Sequence, residues 1–308
     1  MEETVVTLKN QLTDKAIIAA SGGVDSTVAA VLAAKAVDHN LLAIYVDTGY
    51  MRLNESKFVS SMLEDLGVQH KIIDASDRFY KGLKGVIDPE QKRKIIGELF
   101  IRVFEEEAKE YGGKFLVQGT IAPDWIESGG GIRDTIKSHH NVGGLPDDME
   151  MELCEPIREL YKDEVRSLAE YLEVSVAHRQ PFPGPGLAVR VMGEATPKRT
   201  EIVRQACHIA EEEIELAAKQ GVMDLPWQYF AVILPVKTVG VQGDVRAYGN
   251  TIALRAVHSY DAMTAQAAEI PYPVLKKISE RITRELKSDV NRVVYDITDK
   301  PPGTIEWE

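Results

Sequence analysis

Ala16-Ile17-Ile18-Ala19-Ala20-Ser21-Gly22-Gly23-Val24-Asp25-Ser26 decides the fold. An apolar run enters a pair of glycines, and an Ala/Val-rich run from Val28 to Ala36 leaves it. That order reads as strand, tight loop, helix. Glycines let a ligand come close to the backbone, and the unpaired N–H groups of a helix start attract anions, so the junction is built for phosphate. Ser21, Ser26 and Thr27 add hydroxyls. The common nucleotide loop G-x-x-x-x-G-K-[ST] carries a lysine for the β- and γ-phosphates. Here no lysine stands at that place, and Asp25 is acidic. A carboxylate beside a phosphate loop points to a Mg²⁺ bridge, because Mg²⁺ takes one or two carboxylates plus phosphate oxygens. The loop suits pyrophosphate with metal better than γ-phosphoryl transfer.

Outward from the loop, short apolar runs alternate with amphipathic ones. Strands are predicted over 15–20, 41–47, 70–75 and 114–119, and helices over 24–37, 54–66 and 89–111, with Asn54 as an N-cap. Such alternation predicts an α/β domain with a parallel sheet covered by helices. Ligands of these sheets lie beyond the carboxyl ends of the strands, where Ser21, Asp47-Thr48-Gly49 and Gln118-Gly119-Thr120 all fall. Residues 121–156, rich in glycine and containing His139-His140, lack clear periodicity and read as a lid. A helix follows over 162–172. Pro181-Phe182-Pro183-Gly184-Pro185-Gly186 then interrupts the chain. We therefore divide it into a first domain, 1–183, and a second, 184–308. The second is read as α+β with an antiparallel sheet: helices over 200–219 and 273–286, strands over 229–235, 245–257 and 292–297.

Composition narrows the function classes. The 308 residues suffice for two domains, and the net charge of −12 opposes a broad nucleic-acid surface. No apolar run is long enough to span a membrane, and the acidic start Met1-Glu2-Glu3-Thr4 is unlike a signal peptide. Two cysteines, Cys154 and Cys207, make no disulfide framework and no C-x-x-C zinc pair. A cytoplasmic location is expected.

The motifs resemble those of GMP synthase, in the form whose ATP-pyrophosphatase is a separate subunit, as is typical of archaea. The resemblance runs through SGGVDS (21–26), VDTGYMRLNE (46–55), DPEQKRKIIG (88–97) and IKSHHNVGGLP (136–146), then YKDEVR (161–166), PFPGPGLAVR (181–190), PVKTVGVQGD (235–244) and RVVYDITDKPPGTIEWE (292–308). It implies a ligase of the adenine-nucleotide alpha-hydrolase-like fold with a C-terminal dimerisation domain. The implied reaction adenylates XMP with ATP, releases pyrophosphate and lets ammonia displace AMP to give GMP. It implies that Ser21, Gly22, Gly23, Val24, Asp25 and Ser26 hold pyrophosphate and Mg²⁺, with Val46 and Gly119 at the adenosine. Lys162 supplies the cation that the loop lacks, and Lys137, His139 and His140 close over the nucleotides. Arg52, Gln242, Lys300, Ile305 and Glu306 are matched to XMP, with Arg179 and Arg292 as phosphate contacts. The phosphate loop begins at residue 21, so a glutamine amidotransferase partner subunit is expected to deliver the ammonia. A homodimer is expected as well.

Blander readings stand beside these. Lys162 alone is a charged first helix turn, although a cation there is disfavoured by ~0.3–1 kcal/mol without an anion nearby. His139-His140 alone is a solvated pair, and Lys300 and Glu306 alone are tail charges. A tRNA-adenylating enzyme would carry a basic extension or a C-x-x-C pair, and neither occurs. A nucleotide sensor that had lost catalysis would be expected to lack Asp25, Lys137 or Lys162, which are all present.

Overall fold

The computed structural model describes residues 2–127, 151–177, 179–242, 244–260 and 262–308. The chain packs as two compact units. The first comprises Met1–Gly49, Asn54–Phe79 and Ile96–Arg179; the second comprises Tyr50–Leu53, Tyr80–Ile95 and Gln180–Glu308. Two short early segments thus join the second unit.

In the first unit five parallel strands lie in the order β3-β2-β1-β4-β5. They are β1 (Ala16–Ala19), β2 (Leu41–Asp47), β3 (His70–Asp74), β4 (Phe115–Val117) and β5 (Glu152–Cys154). Helices α1 (Glu2–Gln11), α2 (Val24–Val37), α3 (Glu55–Asp65), α6 (Ala122–Glu127) and α7 (Lys162–Tyr171) alternate with them, as do the start of α4 (Ser76–Gly82) and the C-terminal part of α5 (Pro89–Tyr111), whose remaining residues belong to the second unit. β1 is central, with Ile17 beside Leu42 on one side and Leu116 on the other. Its apolar run is what a strand buried on both faces requires. Val28–Ala33 of α2 is buried all round, as expected for a helix with no polar face.

Helix α2, strand β2 and helix α5 have the bounds that the periodicity predicts. Asn54 does occupy the N-cap position of α3, but its side chain makes no capping bond. Its backbone is left-handed at φ 58°, a conformation Asn tolerates. The predicted lid, 121–156, opens with α6 and closes with β5, an edge strand of this sheet. β5 is only three residues long, too short to show a period.

The second unit contains α8 (Pro197–Lys219), β6 (Gln228–Gln242), β7 (Val245–His258), β8 (Gln266–Ala267), α9 (Tyr272–Glu285) and β9 (Val290–Asp296). β6 and β7 form a long antiparallel hairpin, and β8 adds antiparallel. β9 departs from the expected antiparallel order and pairs parallel with β7. Helix α9 provides the crossover that a parallel pair needs. Pro235, expected to end a strand, is instead passed by an irregularity between Ile233 and Lys237. Helix α8 begins earlier than expected, because Thr196 caps it and Pro197 opens its first turn.

This unit buries three cations, Lys92, Arg190 and Arg255, at no more than 1% exposure. All three hold the segment 296–308. Lys92 donates to Ala188 O, Val191 O and the Glu308 carboxylate, whose other oxygen accepts Gly193 N–H at 3.0 Å. Arg255 donates to Thr298 O and Thr304 O. Arg190 grips Glu306. Burial pushes the Lys92 ammonium below its ordinary range, against the pull of Glu308. Removing one partner of a buried pair costs about 3–5 kcal/mol, because it strands the other charge. Lys92→Met is therefore expected to lose ~3–5 kcal/mol in urea unfolding, and Lys92→Met with Glu308→Leu clearly less. Equal losses for the two variants would contradict this account.

Candidate active site

The turn after β1 places the first cluster. Gly22 has φ +76°, and a Cβ there would stand 2.9 Å from Val59 Cγ2. Gly119 follows β4, and its Cβ would meet the α2 backbone at Asp25 C and Ser26 N, both at 2.8 Å. The absence of a side chain at residue 119 thus allows the end of β4 to lie against the first turn of α2. Ser21 Oγ and Ser26 Oγ are 2.9 Å apart, Gly23 N–H donates to Ser21 Oγ at 3.3 Å, and Thr27 Oγ1 donates to Gly23 O at 2.8 Å. The loop is therefore held by its own hydroxyls, while the first-turn N–H groups of α2 lack carbonyl partners within the helix.

Lys162, the first residue of α7, reaches this loop, and its ammonium donates to Asp25 Oδ2 at 2.5 Å. Glu164 caps the same helix by accepting Tyr161 N–H. The side chains of Lys162 and Asp25 are 43% and 29% exposed, so their pair adds only ~0–1 kcal/mol of stability. The contact brings a cation to a glycine loop that has none of its own. Asp25 Oδ1 is buried without a hydrogen-bond partner. Beside the loop, Glu55 is buried and takes both arms of Arg179 at 2.6 Å, with Arg179 stacked 4.5 Å over Phe58. Asp47, at the end of β2, accepts Gly49 N–H and the Ser56 hydroxyl. Val46 is buried in β2 opposite Ile73.

A second cluster lies within the second unit. Arg52 stacks 4.3 Å over Phe182 and donates to Gln180 O at 3.1 Å. Arg190 stands 5.2 Å from the same ring and 4.1 Å from that of Phe230. Arg190 Nε and NH2 hold Glu306 Oε2 and Oε1 at 3.1 and 2.8 Å, and Gln228 Nε2 adds a bond to Oε1 at 2.9 Å. Ile305, the neighbour of Glu306 in the chain, is buried.

Of the predicted residues, the structure gathers Ser21–Ser26, Gly119 and Lys162 in the first unit, and Arg52, Ile305 and Glu306 in the second. Arg179, expected as a phosphate contact, belongs to the first unit and pairs with Glu55. Lys300 donates to Ala262 O at 2.8 Å, and Arg292 is paired on β9 opposite Thr251. Lys137, His139 and His140 lie outside the described residues, as does the side chain of Gln242. The sequence reading missed Glu55, Phe182, Arg190 and Gln228. Arg190 did carry a signal, being a lone cation inside the apolar run Leu187-Ala188-Val189-Arg190-Val191. Its pairing with Glu306, 116 residues away, carried none.

Residues 3–102 match a family model described as NAD synthase, and residues 215–307 one described as GMP synthase C terminal domain. The whole chain is 56% identical over 312 residues to a GMP synthase (glutamine-hydrolyzing) subunit of Pyrococcus abyssi, covering 100% of this chain and 98% of that protein. The chain belongs to this family of GMP synthase subunits. The Thermococcus kodakarensis and Methanopyrus kandleri members are 57% and 53% identical, again over 100% of this chain and 98% of each. The resemblance read from the motifs is thereby borne out, and so is the expected fold class. Among the described residues no group of three His, Cys, Asp or Glu could hold a metal, and no helix is long and apolar enough to cross a membrane.

Neither cysteine of this family member is placed for nucleophilic attack on a solvent-borne substrate. Cys154 and Cys207 are buried, and burial pushes each thiol up to about 11. A raised thiol stays protonated at about pH 8 and is poorly reactive. A colorimetric disulfide reagent at that pH is expected to titrate both only after unfolding, and rapid labelling of the native chain would contradict this.

Proposed function

We infer that this chain carries out the ATP-dependent amination of XMP to GMP, by adenylating XMP, releasing pyrophosphate and admitting ammonia. The observation that carries this reading is Lys162 at Asp25, on a glycine loop at the start of α2. The xanthine 2-oxygen is a poor leaving group, and transfer of AMP onto it makes a good one. Work of this kind consists mainly of positioning and charge neutralisation.

The residues divide that work as follows. The first-turn N–H groups of α2, with the Ser21 and Ser26 hydroxyls, hold the departing pyrophosphate. Lys162 neutralises the charge that builds on it. Asp25 Oδ1, buried and free of hydrogen bonds, is a fitting Mg²⁺ ligand, and one carboxylate with phosphate oxygens is a usual Mg²⁺ set. The metal would supply further charge neutralisation there. Gly119 and Val46 are proposed for the adenosine. Arg52, Ile305 and Glu306 are proposed for XMP, with Lys300, Arg292 and Gln242 as further contacts and Arg179 as a phosphate contact. Lys137, His139 and His140 are proposed to close over the nucleotides.

The relatives are named as one subunit of a glutamine-hydrolysing enzyme, which supports a partner amidotransferase subunit as the source of ammonia. We also propose a homodimer. Exposed Val239 and Tyr248 are paired across β6 and β7 and so share a sheet face, which a second copy would cover. Two buried free thiols suit a reducing compartment, and we propose the cytoplasm. With XMP, ATP, Mg²⁺ and ammonium, the chain is expected to make GMP and pyrophosphate in equal amounts, while glutamine in place of ammonium supports no GMP formation. Lys162→Met and Asp25→Ala are each expected to slow pyrophosphate release ~100-fold or more with the far-ultraviolet spectrum unchanged. Full activity in either variant would remove that residue from the mechanism.

A further inference from the structure

Glu306 has both carboxylate oxygens held by side chains that are themselves buried. Oε1 accepts Arg190 NH2 at 2.8 Å and Gln228 Nε2 at 2.9 Å. Oε2 accepts Arg190 Nε at 3.1 Å. Each carboxylate oxygen has two lone pairs. Oε1 is therefore saturated, and Oε2 keeps one acceptor position open. The carboxylate plane is not free to turn, because the Arg190 fork is bidentate and the guanidinium stands against both the Phe182 and Phe230 rings. The Glu306 side chain is 16% exposed, so it is not sealed from a ligand.

The backbone that carries Glu306 is fixed independently of these contacts. On one side Arg255 donates to Thr304 O at 2.9 Å. On the other, Lys92 and Gly193 N–H hold the Glu308 carboxylate. Trp307 Nε1 donates to Asp296 Oδ2 at 3.1 Å. Altering Gln228, which carries no charge, therefore changes how the Glu306 carboxylate points without releasing the segment.

We propose that Arg190 and Gln228 are positioning residues that present Glu306 as a reader with one free acceptor, matched to a single N–H of the purine base of XMP. This rests on the reading of XMP as the substrate and of Glu306 as its contact. Gln228 is the more specific of the two: it supplies the bond that fills Oε1 and so directs the ligand to Oε2. Without it, Oε1 regains a free lone pair, and the base can be met in two registers.

Calorimetric titration of XMP onto wild type, Gln228→Leu and Arg190→Lys, with pyrophosphate release measured alongside, tests the proposal. A hydrogen bond to a charged group is worth enough that each variant is expected to bind XMP about tenfold more weakly. The KM for XMP should rise by the same factor. The KM for ATP and kcat at saturating XMP should stay within about twofold, a split that general loosening of the fold would not produce. Arg190→Lys replaces a buried group and can lower stability; Gln228→Leu removes no charge, and its thermal midpoint is the control. Wild-type XMP affinity in Gln228→Leu, or equal rises in both KM values, would overturn the positioning role while leaving the functional reading intact. Failure of the wild type itself to bind XMP would overturn both.

Discussion

Three cations with almost no access to water, Lys92, Arg190 and Arg255, set the terms for the second unit. A buried charge is tolerable only when it is paired and hydrogen-bonded. Each of these cations meets that demand with the same stretch of chain, 296–308. The consequence is geometric. The early segment that carries Lys92, the loop that carries Arg190 and the strand that carries Arg255 are tied to one terminal segment, which therefore docks in one register. Apolar packing at Ile305 alone would have allowed it to slide.

The first unit uses charge in the opposite way. The Lys162–Asp25 pair is partly open to solvent and adds little to stability. Glycine does the structural work instead. No side chain at residue 119 would fit against the α2 backbone, and Gly22 adopts a backbone that other residues avoid. Hydroxyls and a carbonyl within the loop satisfy one another. The Lys162–Asp25 contact is thus presented on a frame that does not depend on it. Buried pairs hold the second unit together, and the pair at the glycine loop stays accessible to solvent.

Much of this was legible in the amino-acid order. β1, α2, β2 and α5 follow from apolar runs and 3.6-residue periodicity, because local burial alone selects them. The glycine loop read as a phosphate site through its hydroxyls and its acid, and the structure brings Lys162 to a loop that lacks a lysine of its own. Parts that depend on distant partners were not legible. β5 is three residues of an edge strand, β9 turns parallel only because α9 crosses over, and β6 continues past Pro235 because β7 still pairs with it. Phe182 looked like part of a punctuating loop, yet its ring meets both Arg52 and Arg190.

By itself the sequence determined the strand–loop–helix junction, the demand for an outside cation and, through its motifs, the family. Only the tertiary structure decided which acid meets which base. Glu55 takes Arg179, Glu306 takes Arg190, and Glu308 takes Lys92. The physical reason is that an ion pair is selected by distance and burial, not by spacing along the chain. Residues 116 apart share a hydrogen bond only once a fold has brought them together and excluded water.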